Sequence, residues 1–289
     1  MGIAFEHFVI IMLENSSRAN VLANPYMSQL RKKGVFLSNS FGVIHPSQPN
    51  YIASISGDLF GFNSDDVGWA HRIGEDPPDY PPITTIVDLL EAKGCTWKAY
   101  AEQLQDSDKM ATELRKPYPT PPPDHDSFAR KHVPFLSFPL ITSNPDRMAN
   151  VVNADEFAKD LAAGSLPNYA WYIPDLVNDG HNLTDEEKRY DPGDSDRHVN
   201  IENIAAFLQN LLGDDPIAKF PPETLVVITF DESYPYHADY GTYTVLLGDM
   251  LQAGTTRTEP CNHYSILRTV EDNFGLGTYV NINFPFIVF

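Results

Sequence analysis

Apolar residues along this chain fall into short unbroken runs, separated by stretches in which they recur three and four positions apart. The runs FVIIML (8–13), GVFLSN (34–39), TWKAYA (96–101), NYAWYI (168–173), TLVVITF (224–230) and TYTVLLG (242–248) predict buried strands. The stretches between them predict helices with recognisable ends. TTIVDLLEAKG has Thr85 and Asp88 at capping-box spacing and stops at Gly94. NADEFAKDLAAG offers Asn153 as N-cap, Glu156 three residues on, and Gly164 as its stop. HVNIENIAAFLQNLLG (198–213) and HYSILRTVEDNFG (263–275) carry helical spacing as well. Strand and helix alternate, which predicts an α/β fold with a largely parallel central sheet flanked by helices.

Three proline-bearing pieces interrupt the alternation. EDPPDYPP (75–82) and KPYPTPPPDHD (116–126) read as extended surface loops. HPSQPN (45–50) holds Ser47 between two prolines and reads as a rigid turn, barred from the middle of a strand or helix. No internal repeat or long linker divides the chain. The expectation is one domain over 1–289, with insertions at about 60–82 and 105–150 folding as caps over the C-terminal ends of the strands.

Composition narrows the function. The chain has 289 residues, enough for a large core, with 42% hydrophobic and 20% charged residues. A formal charge of −19 argues against a nucleic-acid or anionic-membrane partner. An anionic substrate would need a local reversal of that field, for which a bound metal cation is the usual device. Cys95 and Cys261, far apart, form neither a disulfide framework nor a zinc-finger pattern. No apolar run reaches the length of a membrane span, so no integral membrane association is expected. The N-terminal MGIAFEHFVIIMLEN lacks the basic region and cleavage site of a signal peptide. A cytoplasmic chain is therefore expected, unless a leader was removed before residue 1.

Ligands of open α/β sheets bind beyond the carboxyl ends of the strands. FVIIML is followed by Glu14 and Asn15, NYAWYI by Asp175, Asp179 and His181, and TLVVITF by Asp231 and Glu232. Glu14, Asp231 and Glu232 brought together would repel without a cation between them. With Asn15 they form an oxygen-rich shell suited to a divalent metal ion: Mg²⁺, Ca²⁺, Mn²⁺ or Zn²⁺. A cation beside Ser47 would lower the hydroxyl's pKa and ready it for attack. His45 and His263 are further candidates to line the site, and Asp179 could orient His181. Glu102, after TWKAYA, is a weaker one. His7, His71, His125, His198 and His237 read as surface or core residues.

The runs LEN (13–15), HPSQPNYIASISGD (45–58), RKHVPF (130–135), VNDGH (177–181), TFDE (229–232) and NHYSILRTVEDNFGL (262–276) together resemble a phosphoesterase family. It contains acid phosphatases and bacterial phospholipases C and lies in the alkaline-phosphatase-like group; the spacing is closer to the acid-phosphatase branch. The resemblance implies that Glu14, Asn15, Ser47, Asp231 and Glu232 bind metal, with Ser47 the nucleophile. His132 and His181 would contact the phosphoryl group or leaving oxygen, and Asn50 would donate an amide to phosphoryl oxygens. Two departures stand out: Asp175 after Pro174, where the family often has Asn, and Asn182, where it often has Asp. Asp175, Asp179, His263 and His45 are then candidates for a second metal or for substrate contacts. The expected function is a metal-dependent phosphomonoesterase acting on a small phosphorylated substrate through a phosphoserine at Ser47. The alternatives are a phosphodiesterase of phospholipase C type and a non-catalytic metal- or phosphate-binding module. An interfacial amphipathic helix with a basic face, which would favour the first of these, is absent from the pattern.

Overall fold

The structure is a computed structural model that describes residues 2–65, 83–106, 127–181, 198–234 and 241–278. The expected loops at 75–82 and 116–126, the histidines 71, 125 and 237, and Asn182 lie outside the described residues, as does the side chain of His198.

Eleven strands are described: β1 (His7–Leu13), β2 (Val35–Leu37), β3 (Ser40–Phe41), β4 (Trp97–Ala101), β5 (Val151–Asn153), β6 (Tyr169–Ile173), β7 (Thr224–Phe230), β8 (Gly241–Thr242), β9 (Thr244–Leu247), β10 (Thr255–Arg257) and β11 (Cys261–Asn262). Eight of them form one sheet in the order β10-β2-β9-β7-β1-β6-β4-β5, and β11-β3-β8 form a small second sheet. In the large sheet only β9 runs against the rest. The carboxyl ends of β1, β4, β6 and β7 therefore share one edge.

Side chains alternate across this sheet, and both faces are dry. Phe8, Ile10 and Met12 of β1 join the core on one side, while Val9, Ile11 and Leu13 join the core on the other. That is why the strands read as unbroken apolar runs. One face is covered by the helices Ser47–Ser56, Ile86–Ala92 and His263–Asn273, the other by Pro25–Lys33, Asp155–Ala163 and His198–Leu212.

The capping box of Thr85 and Asp88 is present, and Gly164 ends its helix in the left-handed conformation. Several local readings need correction. The helix starts one residue later than expected, with Ala154 at the N-cap; Asn153 closes β5, although its Oδ1 still accepts the Asp155 N–H. TYTVLLG is two strands, β8 in the small sheet and β9 in the large one. HPSQPN is only half a turn. Ser47 is the first residue of the helix Ser47–Ser56, with Pro46 at the N-cap and Pro49 in the first turn. A first turn tolerates proline because its N–H groups have no intrahelical partner. The described part of the second expected insertion, 127–150, is built into the core: Phe135 stacks on Trp97 and meets Trp171 edge-on, at 5.3 and 5.8 Å between centroids.

Gly34 lets the chain enter β2 against the backbone of β9. A Cβ there would lie 2.1 Å from the Leu246 carbonyl oxygen. Gly34→Ala is expected to cost about 1–3 kcal/mol by overpacking. Chemical denaturation checks this, and an unchanged midpoint would show that β2 and β9 are not held so close.

Candidate active site

β1 and β7 pair in register through Leu13 and Phe230, so both strands end at the same level. The ladder then runs one residue further: the Asp231 N–H donates to the Leu13 carbonyl and the Glu14 N–H to the Asp179 carbonyl, each at 2.9 Å. Glu14, Asp231 and Glu232 are thereby fixed side by side, all fully buried.

The helix Ser47–Ser56 delivers the hydroxyl. Ser47 Oγ lies 3.2 Å from Glu14 Oε2 and 3.3 Å from Glu232 Oε1. Asn15 Nδ2 donates to Glu232 Oε1 at 3.4 Å, and His45 Nδ1 hydrogen-bonds Glu232 Oε2. Glu14, Asn15, Ser47, Glu232 and His45 thus meet, and Asp231 joins them through its backbone and through Ser47.

His132 is clamped between two carboxylates. Its Nε2 lies 2.8 Å from Glu14 Oε1 and its Nδ1 3.0 Å from Asp179 Oδ2, with the ring stacked on Tyr51 at 4.9 Å. Burial opposes the imidazolium, but Glu14 and Asp179 outweigh it and push His132 up to about 10. Burial likewise opposes ionised Glu14, and the His132 charge wins, holding that carboxyl well below the usual range. For Asp231 the balance goes the other way, although the His132 charge and a hydrogen bond from Ser47 favour its ionised form. Burial, reinforced by the Glu14 charge, drives it well above the normal carboxylate value.

The histidine roles differ from expectation. Asp179 was expected to orient His181, yet its side chain holds His132 and accepts only the backbone N–H of His181, at 2.8 Å. The His181 ring sits 5.8 Å from that of His132 and is less deeply buried. The small sheet places Asn262 to cap the last helix, so that His263 follows directly at the cluster. Its Nε2–H donates to the Asp231 carbonyl at 2.5 Å, which leaves Nδ1 buried without a partner. Burial lowers His263 to about 4, so the ring is neutral at physiological pH and fixes the Asp231 peptide.

Asn50 and Asp175 do not have the expected geometry. Asn50 Oδ1 accepts from Val43 and Ile44 N–H, and its Nδ2 donates to the Ile44 and Pro46 carbonyls, at 2.7–3.2 Å. It clamps the loop before Ser47 rather than offering a donor to substrate. Asp175 accepts from Ser127 Oγ and from the Val177 and Asn178 N–H groups, so it shapes the 174–181 turn and adds nothing to the acid cluster. Glu102 is used similarly, accepting from Tyr172 OH, Asp175 N–H and Asn178 Nδ2, each at 2.8 Å. Two residues were missed. Tyr51 floors His132, and Gly42 makes room for the acid pair, since a Cβ there would come within 2.9 Å of the Asp231 carbonyl oxygen. The former carries only a core-like aromatic signal, and the latter none.

Among the described residues, no group of three or more His, Cys, Asp and Glu closes around a common metal position. The chemistry of the donor set nonetheless fits a hard cation. Asp231 Oδ2 is buried without a hydrogen-bond partner, and three fully buried carboxylates face one compensating imidazolium.

A family model described as the phosphoesterase family matches residues 22–277. The chain belongs to that family. The matched region holds Ser47, His132, His181, Asp231, Glu232 and His263; Glu14 and Asn15 lie just before it. The chain is similar to a probable acid phosphatase of Kluyveromyces lactis (32% identity over 95% of this chain and 59% of the relative). It is also similar to a phosphatidylinositol-3-phosphatase of Mycobacterium tuberculosis (27% identity, 94% and 78% covered). The chain spans about 56–60% of the length of the fungal acid phosphatases it matches. Its fold is shared with an alkaline phosphatase superfamily protein of Vibrio parahaemolyticus (TM-score 0.60, 11% identity, 95% of this chain and 67% of that one covered).

The Glu14–His132–Asp179 clamp predicts a pH-dependent stability in chelator-treated protein. His132 is raised in the folded state, so its contribution is full below its unfolded value of about 6.5 and is lost as pH rises through about 10. Glu14 is lowered, so its contribution is present above its unfolded value of about 4.5 and is lost as the solution is acidified. His132→Gln strands two buried carboxylates and is expected to cost about 3–5 kcal/mol near pH 7. Urea midpoints at pH 7 and 10 check both: the wild type should weaken over that interval and the variant should change less.

Proposed function

We propose that this chain hydrolyses phosphoric monoesters and that Ser47 is the nucleophile. The observation that carries this reading is one serine hydroxyl, at the first position of a buried helix, within 3.3 Å of two carboxylates that end parallel strands. A solvated loop serine has no need of such surroundings. The relatives named acid phosphatase and phosphatidylinositol-3-phosphatase support a monoester over a diester substrate. Among the described residues no helix is long and apolar enough to cross a membrane, and a small phosphorylated compound is the substrate proposed.

In this mechanism Glu232 takes the Ser47 proton as the oxygen attacks phosphorus. A Ser–O–P bond forms and the ester P–O bond breaks. The departing alkoxide takes a proton from His181; water then attacks the phosphoserine and gives a proton back to His181, the Ser–O–P bond breaks, and the carboxyl returns its proton to Ser47. His132 is a poor proton donor because both its nitrogens are held by carboxylates. It serves instead as a fixed positive charge behind Glu14. His263 and Asn50 position Asp231 and the loop before Ser47. Glu14, Asn15, Ser47, Asp231 and Glu232 would hold a divalent cation, which when bound lowers the serine pKa and neutralises phosphoryl charge.

Ser47→Ala should lower kcat/KM by at least about a thousandfold, roughly 4 kcal/mol of barrier, with an unchanged circular dichroism spectrum. Activity within about tenfold of wild type would remove Ser47 from the reaction. Chelation should abolish turnover and one of Mg²⁺, Ca²⁺, Mn²⁺ or Zn²⁺ restore it; full activity in metal-free protein would refute the cation.

The proton donor is tested by leaving group. An aryl oxide leaves with little protonation, whereas an alkoxide needs it. His181→Ala is therefore expected to slow alkyl phosphates at least about tenfold more than aryl phosphates, and His132→Ala to slow both alike. The reverse pattern in kcat/KM would exchange the two roles.

A further inference from the structure

The first turn of the helix Ser47–Ser56 has no side-chain cap from its own N-cap, Pro46. A residue from another part of the chain takes that place. Asp65 Oδ1 accepts the Gln48 N–H at 2.9 Å, and Asp65 Oδ2 accepts from Lys131 Nζ at 2.7 Å. One donor adjoins Ser47 in sequence and the other adjoins His132, so a single carboxylate spans the two sides of the site. Helix N-terminal N–H groups and an ammonium are the donors that a phosphoryl group would use. The Gln48 N–H is the next backbone donor after Ser47, in the first turn of the same helix.

Three observations separate this arrangement from an ordinary surface ion pair. The Asp65 and Lys131 side chains are 32% and 18% exposed, so the pair sits where a solute can reach it. Burial opposes the Lys131 charge, yet Asp65, Glu14 and Asp231 all favour it, which places the ammonium at the edge of the acid cluster. The Gln48 side chain on the same turn is fully buried, and neither of its amide atoms has a partner.

We infer that Lys131 Nζ and the Gln48 N–H are contacts for substrate phosphoryl oxygens, and that Asp65 holds them as an internal anion until the phosphoryl group displaces it. The inference rests on the hydrolase reading and refines its substrate class. A monoester dianion replaces the carboxylate's single charge with two. A diester carries one charge and gains nothing over Asp65. Displacing Asp65 costs both alike, so the preference for monoesters comes from Lys131 and the Gln48 N–H, which hold two charges more tightly than one, in a chain whose overall charge repels both.

The test is the affinity for inorganic phosphate, measured by calorimetry with the divalent ion that supports turnover present throughout, in wild type, Lys131→Met, Lys131→Arg and Asp65→Asn. Lys131→Met should weaken phosphate binding about tenfold or more, with Lys131→Arg recovering most of it. Asp65→Asn should tighten phosphate binding about threefold or more, because the competing anion is gone, whereas Lys131→Met should lower the monoester-to-diester ratio of kcat/KM, because the second phosphoryl charge loses its partner. A merely structural Asp65 predicts weaker binding in Asp65→Asn as the helix start loosens, and that result overturns the inference. A Lys131→Met protein that binds phosphate like wild type also overturns it, while leaving the hydrolase reading intact if wild type cleaves monoesters. A wild type that neither binds phosphate nor cleaves any phosphate ester overturns the reading itself.

Discussion

Everything at this site depends on two parallel strands ending at the same level. The register of Leu13 with Phe230 puts Glu14 beside Asp231, and the sheet's dry faces leave those carboxylates no water to retreat to. Like charges buried at such range cannot all ionise unaided. The rest of the site answers that constraint. His132 compensates Glu14, His45 and Asn15 bind Glu232, and His263 secures the Asp231 peptide. What remains is an Asp231 oxygen without a partner and a cluster with surplus negative charge, the donor set that the proposed cation would neutralise.

The same constraint gives the proline pair around Ser47 its purpose. Pro46 and Pro49 occupy the one part of a helix where a missing N–H costs little, and they stiffen the entry into it. Asn50 ties the preceding loop to the helix through four hydrogen bonds. The hydroxyl is thus presented from a rigid support on one face of the sheet to acids at its edge, an arrangement that lets catalytic groups be held without reorganisation.

The core and the acid cluster were legible in the sequence because both follow from strand periodicity. β1, β4, β6 and β7 read directly from unbroken apolar runs, and the rule that ligands bind beyond strand ends pointed to Glu14, Asp231 and Glu232. Short or shared elements were not legible. β5 and β10 are three residues each and borrow their order from a neighbour, and HPSQPN reads as a turn because its helix is stabilised by burial instead of propensity. The partnership of Asp179 with His132 instead of His181 was hidden for another reason. Forty-seven positions separate the two residues, and local spacing favoured the nearer histidine. Asn50 shows the same limit, since a motif position does not reveal which way an amide faces.

The central claim is that the strand-end carboxylates exist to make Ser47 a nucleophile, and the covalent intermediate tests it most directly. Metal-reconstituted protein would be mixed with an aryl monoester, quenched in acid within the first turnovers, digested and mapped by mass spectrometry. The account predicts one added phosphoryl group, on Ser47, absent from chelated protein and from the zero-time control. Active protein that carries no phosphate at Ser47, combined with inversion of configuration at phosphorus in a chiral monoester, would mean that water attacks directly and would contradict it.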